Sequence, residues 1–175
     1  AITTSLLIEL FDITAIVNIG VAGGQNGAKH NDVIVSTSVL YHDVDVSKFG
    51  KYVPGQVPGH DPEFIADNHL VELSIQVLEQ QHIPYKKGRI ASGDQFVYST
   101  KTVVAINQLY PDVYAIEMEA AAIAHTASIY NIPFVIFRSI SDVLDDPTQH
   151  EDFQTFLLSA TKQASTLLLE LLRVI

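Results

Sequence analysis

The sequence predicts an α/β domain whose mostly parallel sheet is covered by helices on both faces. Short apolar runs rich in β-branched residues alternate with longer amphipathic stretches, an alternation typical of βαβ units. Of the 175 residues, 47% are hydrophobic and 17% are charged, against roughly 25% charged residues in an average globular domain. A chain of this length and composition can bury a sizeable core as one domain.

The strands and helices follow one another along the chain. Five apolar runs are expected to form buried strands, at residues 15–19, 33–37, 88–91, 113–116 and 133–137, and residues 39–46 either continue the second strand or pair beside it. Helices are expected at residues 1–11, 66–81, 99–110, 118–130 and 152–173. Residues 47–63 carry several Gly and Pro residues and form a loop too long to be a plain connection.

Charge and cysteine content exclude several function classes. Ten Lys and Arg against 20 Asp and Glu give a formal net charge of −10, whereas a nucleic-acid partner requires a basic face that displaces counterions. The absence of Cys excludes disulfides and thiolate metal sites. Lys162, Glu170 and Arg173 interrupt the most apolar stretch within the roughly 20 residues that a membrane span needs. Neither nucleic acid nor a membrane is therefore an expected partner.

Ligand-binding residues are expected where the strands end, because ligands of such sheets lie outside the carboxyl ends of the strands. Four such exits stand out, at residues 20–24, 92–96, 117–119 and 139–142. The glycines of the first exit, Gly20 to Gly24, either let a ligand approach the backbone closely or form a tight turn. They match neither a dinucleotide fingerprint nor a P-loop.

Two carboxylates, Glu117 and Glu119, flank Met118 where a strand gives way to a helix. Side chains two residues apart point in different directions, so at most one of them faces a small ligand squarely. A carboxylate only accepts hydrogen bonds, which suits the paired hydroxyls of a ribose. The alternative is that both acids merely favour the positive end of the helix.

Asp142 follows Ser141 and a strongly apolar strand, where partial desolvation would favour its protonated form and allow it to donate a proton. Arg138 would oppose this if it paired with that carboxylate. The alternative for Asp142 is a turn cap. Asp94 is expected to be a turn residue, and Phe96 either stacks on a flat ring or joins the core.

Residues 41–45 (YHDVD) superficially suggest a metal site. The alternation of side chains along a strand would separate His42 from Asp43 and Asp45, and no second cluster of ligands accompanies them. No metal is therefore expected.

Five stretches in order resemble the 5′-methylthioadenosine/S-adenosylhomocysteine nucleosidases of the nucleoside phosphorylase/hydrolase family. They are residues 18–24 (NIGVAGG), 41–46 (YHDVDV), 91–96 (ASGDQF), 115–120 (AIEMEA) and 138–143 (RSISDV). The resemblance spans residues 1–175 as a single domain and implies a three-layer α/β/α sandwich with a mixed, mostly parallel sheet. It also implies hydrolysis of the N-glycosidic bond to adenine and a 5-thio-substituted ribose, without metal or cofactor.

The same resemblance implies roles for individual residues. Asp142 would protonate N7 of adenine with support from Ser141, and Glu119 would hold the ribose hydroxyls with Met118 against the sugar. The remaining implied contacts are Phe96 and Phe153 on the two faces of the purine, the Val97 backbone at its edge, and Gly23 near the ribose and the attacking water. The acid–base logic is that of glycoside hydrolysis, in which protonating the leaving group lowers the barrier.

The resemblance further implies a cytoplasmic homodimer that acts in methionine salvage. Val46, Phe49 and Pro58 of the long loop would reach into the neighbour's pocket and cover the thioalkyl group. This gives the long loop a function.

Two departures from the family pattern bear on the reaction. Phosphorylases of the superfamily hold phosphate with an Arg and a Ser where this chain has Asn18 and Val21, so water is the expected nucleophile. Many of the nucleosidases carry Ser at the position of Val21. The family's first strands and its water-activating glutamate would lie upstream of residue 1, so the expectation is an N-terminally truncated domain that binds poorly and hydrolyses little by itself. A purine or uridine phosphorylase and a non-catalytic nucleoside-binding protein stay open as alternatives.

Overall fold

The computed structural model describes residues 1–143 and 153–174, which contain six strands, five α-helices and one short 3₁₀ helix (Ser47–Phe49). The strands are β1 (Ile16–Gly24), β2 (Val33–Tyr41), β3 (Phe64–Ile65), β4 (Tyr85–Ser92), β5 (Val113–Glu117) and β6 (Phe134–Val143). The helices are α1 (Ile2–Leu10), α2 (Asn68–Gln80), α3 (Thr100–Leu109), α4 (Ala120–Tyr130) and α5 (Phe153–Leu171). None of the helices within these described ranges is long and apolar enough to cross a membrane.

The strands form one mixed sheet in the order β3-β2-β4-β5-β1-β6. The β1–β6, β2–β4 and β4–β5 pairings are parallel, and the shorter β1–β5 and β2–β3 pairings are antiparallel. The middle of β6 also pairs antiparallel with the start of β2, where Val33 lies opposite Ser139. The mixed, mostly parallel sheet is therefore confirmed, and its closure of β6 onto β2 is a feature that the sequence pattern did not predict.

Helices cover both faces of the sheet, which confirms the predicted sandwich. Residues 33–36 of β2 are buried at four successive positions, and an extended strand buries successive side chains only when both its faces are covered. Helices α2 and α5 contact each other and pack on β2, β6 and β1, whereas α4 contacts α1 and packs on β2, β3 and β4. Small buried residues let α4 lie close to the strands, namely Ala120, Ala121, Ala124 and Ala127.

Two strands continue five or more residues past their predicted ends, and both corrections concern the ligand-binding edge. β1 continues to Gly24 and β6 continues to Val143, so neither the glycine run nor Asp142 lies in a turn. The glycines instead let the two strands and their side chains approach closely. A Cβ atom at Gly24 would lie 2.6 Å from Cγ2 of Ile140, and one at Gly20 would lie 3.1 Å from the Arg138 guanidinium.

The long loop is fastened to the end of β2 rather than extended into solvent. Gly55 adopts a φ of +86° and donates its N–H to the carbonyl of Val44 at 2.7 Å, and a side chain there would meet the carbonyl of Tyr41. Of the residues expected to reach a partner subunit, Phe49 is 79% exposed. Pro58 is also exposed, and Val46 is half-buried.

An aromatic cluster joins this loop to α4. The His125 ring lies 4.3 Å from that of His60 and 4.6 Å from that of Phe64, between ring centres. The hydroxyl of Tyr41 lies 3.4 Å from Nδ1 of His125. Burial, and then the neighbouring His60, lower the pKa of His125. The folded protein therefore favours the neutral imidazole.

This cluster predicts that acid destabilises the fold. Below the ordinary histidine pKa of about 6.5, the unfolded chain binds a proton at His125 that the folded chain resists, so the free energy of unfolding falls as pH drops from about 7 to 5. The His125→Phe variant is expected to show a smaller fall in urea titrations at the two pH values. The exposed His69 serves as the control, because His69→Asn is expected to leave the fall unchanged. An undiminished fall in His125→Phe would contradict the assignment.

Candidate active site

A cavity of about 180 Å³ opens where β1, β5 and β6 end beside the loop that follows β4. It brings together residues that lie at the four strand exits singled out in the sequence, namely Gly23, Phe96, Met118, Glu119, Ser141 and Asp142. It also contains Val97, which only the family resemblance indicated. The backbone of α5 begins at Phe153, but the side chain of Phe153 lies outside the described residues. Five further residues line the cavity, namely Val21, Ala22, Gln95, Ile116 and Glu117.

A β-bulge aims the side chain of Asp142. Ala22 of β1 lies opposite Ile140, but Gly23 lies opposite Asp142, so Ser141 is an extra residue in β6. Bulges re-aim side chains and are common beside active sites. The Ser141 hydroxyl donates to Oδ1 of Asp142 at 2.6 Å. A Cβ atom at Gly23 would lie 3.6 Å from Oδ2, so the glycine keeps the space before that oxygen open.

Arg138 pairs with Glu117 and not with Asp142. Its Nε and Nη2 atoms donate to Oε2 of Glu117 at 3.0 and 2.6 Å, and its Nη1 donates to Oδ1 of Asn18 at 2.8 Å. Both charged side chains are buried, with 2% and 3% of their surface exposed. The guanidinium is therefore paired with Glu117 and Asn18. The ion pair between Arg138 and Asp142 that the sequence left open does not form.

Glu117 and Glu119 occupy different environments, as their spacing predicted. Glu117 is buried at the end of β5, whereas Glu119 is exposed at the N-cap position of α4. Glu119 makes no side-chain capping bond and lines the cavity. Together with Met118 it also lines an adjoining, more open cavity of about 510 Å³ beside α1 and β1. Both acids line the smaller cavity, but Glu119 is the exposed one.

Phe96 does not belong to the core, because 70% of its surface is exposed at the cavity. Val97 packs against a small apolar cluster that includes Ile116. Gln95 brings an amide to the lining that sequence reasoning missed. The position of Gln95 within residues 91–96, directly before Phe96, could have indicated that it lines the cavity.

Asp94 lies in a turn as expected, where its backbone N–H donates to the carboxylate of Asp43 at 2.7 Å. Within residues 1–143 and 153–174, no group of three or more His, Asp or Glu side chains is arranged to hold a metal ion. The groups that line the cavity thus include the carboxylates of Glu117, Glu119 and Asp142, the Ser141 hydroxyl and the exposed ring of Phe96.

Comparison with known proteins places the chain in a family. The sequence model of the phosphorylase superfamily matches residues 1–173. The chain belongs to the phosphorylase superfamily. The chain is 39% identical over 174 residues to a 5′-methylthioadenosine/S-adenosylhomocysteine nucleosidase of Hydrogenovibrio crunogenus. The alignment covers 98% of this chain and 74% of the relative.

Solved structures agree with this assignment to the phosphorylase superfamily. The nucleosidase of Neisseria meningitidis in complex with methylthio-immucillin-A has a TM-score of 0.91 and 35% identity, covering 99% of this chain and 75% of the other. The nucleosidase of Colwellia psychrerythraea in complex with adenine has a TM-score of 0.88 and 36% identity, covering 98% and 71%.

Proposed function

We propose that this superfamily member hydrolyses the N-glycosidic bond of 5′-methylthioadenosine and S-adenosylhomocysteine, releasing adenine and a 5-thio-substituted ribose. The observation that carries the proposal is the convergence of Asp142, Glu119 and Phe96 on one cavity. Relatives with 35% and 36% identity, bound to methylthio-immucillin-A and to adenine, support the same class of ligand.

Asp142 is proposed as the general acid. Cleavage of a ribosyl C–N bond leaves negative charge on the purine and positive charge on the sugar, so a proton given to N7 lowers the barrier. The Ser141 hydroxyl engages Oδ1. Oδ2, before which Gly23 leaves open space, is then the oxygen that would carry the proton to the base.

Glu119 is proposed to hold the ribose. Its carboxylate is available at the cavity, can accept hydrogen bonds from both hydroxyls, and would lie near the positive charge that develops on the sugar. Phe96 and Phe153 are proposed for the purine faces. The remaining proposed contacts are Met118 with the sugar, the Val97 backbone with the purine edge, and Gly23 with the ribose and the attacking water.

Water is the proposed nucleophile. No Lys or Arg of the described residues lines the cavity, and the nearby charge of Arg138 is already neutralised by Glu117. A phosphate dianion would therefore lack the charged donors that hold it tightly. This favours hydrolysis over a phosphorylase reaction.

The proposal extends to the assembly and location expected from the sequence. The exposed Phe49 and Pro58 and the half-buried Val46 of the long loop are proposed to cover the thioalkyl group of a partner subunit in a cytoplasmic homodimer of methionine salvage.

The test is adenine release from 5′-methylthioadenosine and S-adenosylhomocysteine, followed by chromatography of the products. The protein as the cell makes it is expected to release adenine from both nucleosides in phosphate-free buffer. Binding of either nucleoside without release of adenine would contradict the proposal and favour the non-catalytic nucleoside-binding alternative.

A further inference from the structure

The N-terminus of α4 is capped in an unusual way. The first N–H groups of a helix lack partners inside the helix, and the side chain at the N-cap position commonly accepts from one of them. Glu119 holds that position with a non-helical backbone (φ −130°, ψ −31°), yet its carboxylate makes no capping bond. The acceptors must therefore come from elsewhere.

Glu117 and Ser92 supply those acceptors from the neighbouring strands β5 and β4. Oε2 of Glu117 accepts from the N–H of Glu119 at 3.1 Å, and its two carboxylate oxygens lie 3.0 and 2.9 Å from the N of Ala120. The Ser92 hydroxyl oxygen accepts from the N–H of Ala121 at 2.7 Å. Three successive N–H groups at the helix start are thereby satisfied.

The Glu117 carboxylate is itself fixed in place. It accepts two hydrogen bonds from Arg138, at 3.0 and 2.6 Å, and a further one from the Ser92 hydroxyl. Its side chain is 3% exposed, and a buried carboxylate is stable only when it is paired and hydrogen-bonded in this way. One side chain thus links β4, β6 and the start of α4.

We propose that Glu117 is a positioning residue for ribose binding: with Ser92 it caps α4, and so leaves the Glu119 carboxylate free to face the ligand. The inference rests on the proposed nucleosidase function. Glutamine at position 117 has one acceptor oxygen in place of two, and its amide N–H groups oppose the donors of Arg138 and Ala120. Glu119 then becomes the nearest acceptor for the exposed N–H groups and turns back onto its own helix.

The test compares two ligands in titration calorimetry on the protein as the cell makes it. Methylthio-immucillin-A carries a sugar-like ring, and adenine carries none. In Glu117→Gln, affinity for methylthio-immucillin-A is expected to fall by at least about tenfold, the size expected when hydrogen bonds to a charged group are lost. Affinity for adenine is expected to stay within about twofold, because Glu119 does not contact the base.

Controls separate positioning from loss of structure. Glu79→Gln changes an exposed acid that accepts from Tyr85, and it is expected to bind both ligands as the unmodified protein does. Ser92→Ala removes the acceptor of the Ala121 N–H and one donor to Glu117 but keeps the Glu117 carboxylate. If Glu117→Gln does not fold, a selective loss of affinity for methylthio-immucillin-A in Ser92→Ala supports the proposal. Equal losses for both ligands, or no loss, overturn it. Failure of the unmodified protein to bind either ligand overturns the proposed function and this inference with it.

Discussion

Replacing Asp142 with asparagine is expected to lower the rate of adenine release by about 10²- to 10⁴-fold, the usual contribution of a general acid. Asparagine keeps the shape of the side chain and can still hydrogen-bond to the Ser141 hydroxyl and to the base. It cannot deliver a proton, so the purine would have to leave as an anion. The rate is measured by chromatography of adenine under saturating 5′-methylthioadenosine.

The matched control for this variant is Asp94→Asn, because Asp94 lies in the turn after β4 and does not line the cavity. It is expected to release adenine at nearly the unmodified rate. The thermal unfolding of Asp142→Asn is expected to match that of the unmodified protein, since Asp142 is only half-buried and its loss of charge leaves no buried cation unpaired. Near-normal turnover by Asp142→Asn would show that Asp142 is not the proton donor.

Replacing Arg138 with methionine is expected to lower the free energy of unfolding by roughly 3–5 kcal/mol, because it leaves the Glu117 carboxylate buried without a cation. The lost bonds also include the one to Asn18, which ties β6 to β1. Urea titration followed by circular dichroism measures the change. Most of this loss of stability comes from leaving the Glu117 carboxylate buried without a cation. The attraction within the intact pair contributes less, because burying both ions already carries a desolvation penalty.

Arg89 offers the matched control for that measurement. It pairs with Asp112 at 2.7 Å and with Glu63 at 3.2 Å, and it is partly exposed. Arg89→Met is expected to cost at most about 1 kcal/mol, as exposed pairs do. The double variant Glu117→Leu/Arg138→Met is expected to lose less stability than Arg138→Met alone. A loss in Arg138→Met no larger than in Arg89→Met would mean that the buried pair does not stabilise the fold.

The layering and the location of the cavity could be predicted from sequence, because they follow from local patterns. Each strand is a continuous apolar run, and each exit carries a polar or glycine-rich segment that interrupts the pattern. Since the strand ends meet at one edge of the sheet, Gly23, Glu119 and Asp142 were expected near one another. The structure brings all three to the same cavity.

What could not be predicted depends on contacts between residues far apart in the chain. The glycines of β1 resemble a turn by composition, and only the close approach of Ile140 and Arg138 shows why they continue the strand. The bulge at Ser141 and the closure of β6 onto β2 depend on pairing between strands that are far apart in the chain. Short-range rules contain no information on either feature.

The division of labour between Glu117 and Glu119 has the same origin. Their spacing predicts that the two side chains diverge, but it does not indicate which one is buried. That choice is made by Arg138, whose guanidinium reaches Glu117 from β6. A sequence pattern therefore identified the pair of acids, whereas the partner that separates their environments emerged only from the fold.

Product analysis in the presence of phosphate distinguishes hydrolysis from phosphorolysis. Digestion of 5′-methylthioadenosine in phosphate buffer is followed by phosphorus NMR and by chromatography of the sugar. We expect free 5-methylthioribose and adenine in equal amounts, at a rate independent of phosphate, because Arg138 is neutralised by Glu117 and no described Lys or Arg lines the cavity. Formation of a sugar 1-phosphate, with a rate that rises with phosphate concentration, would contradict it.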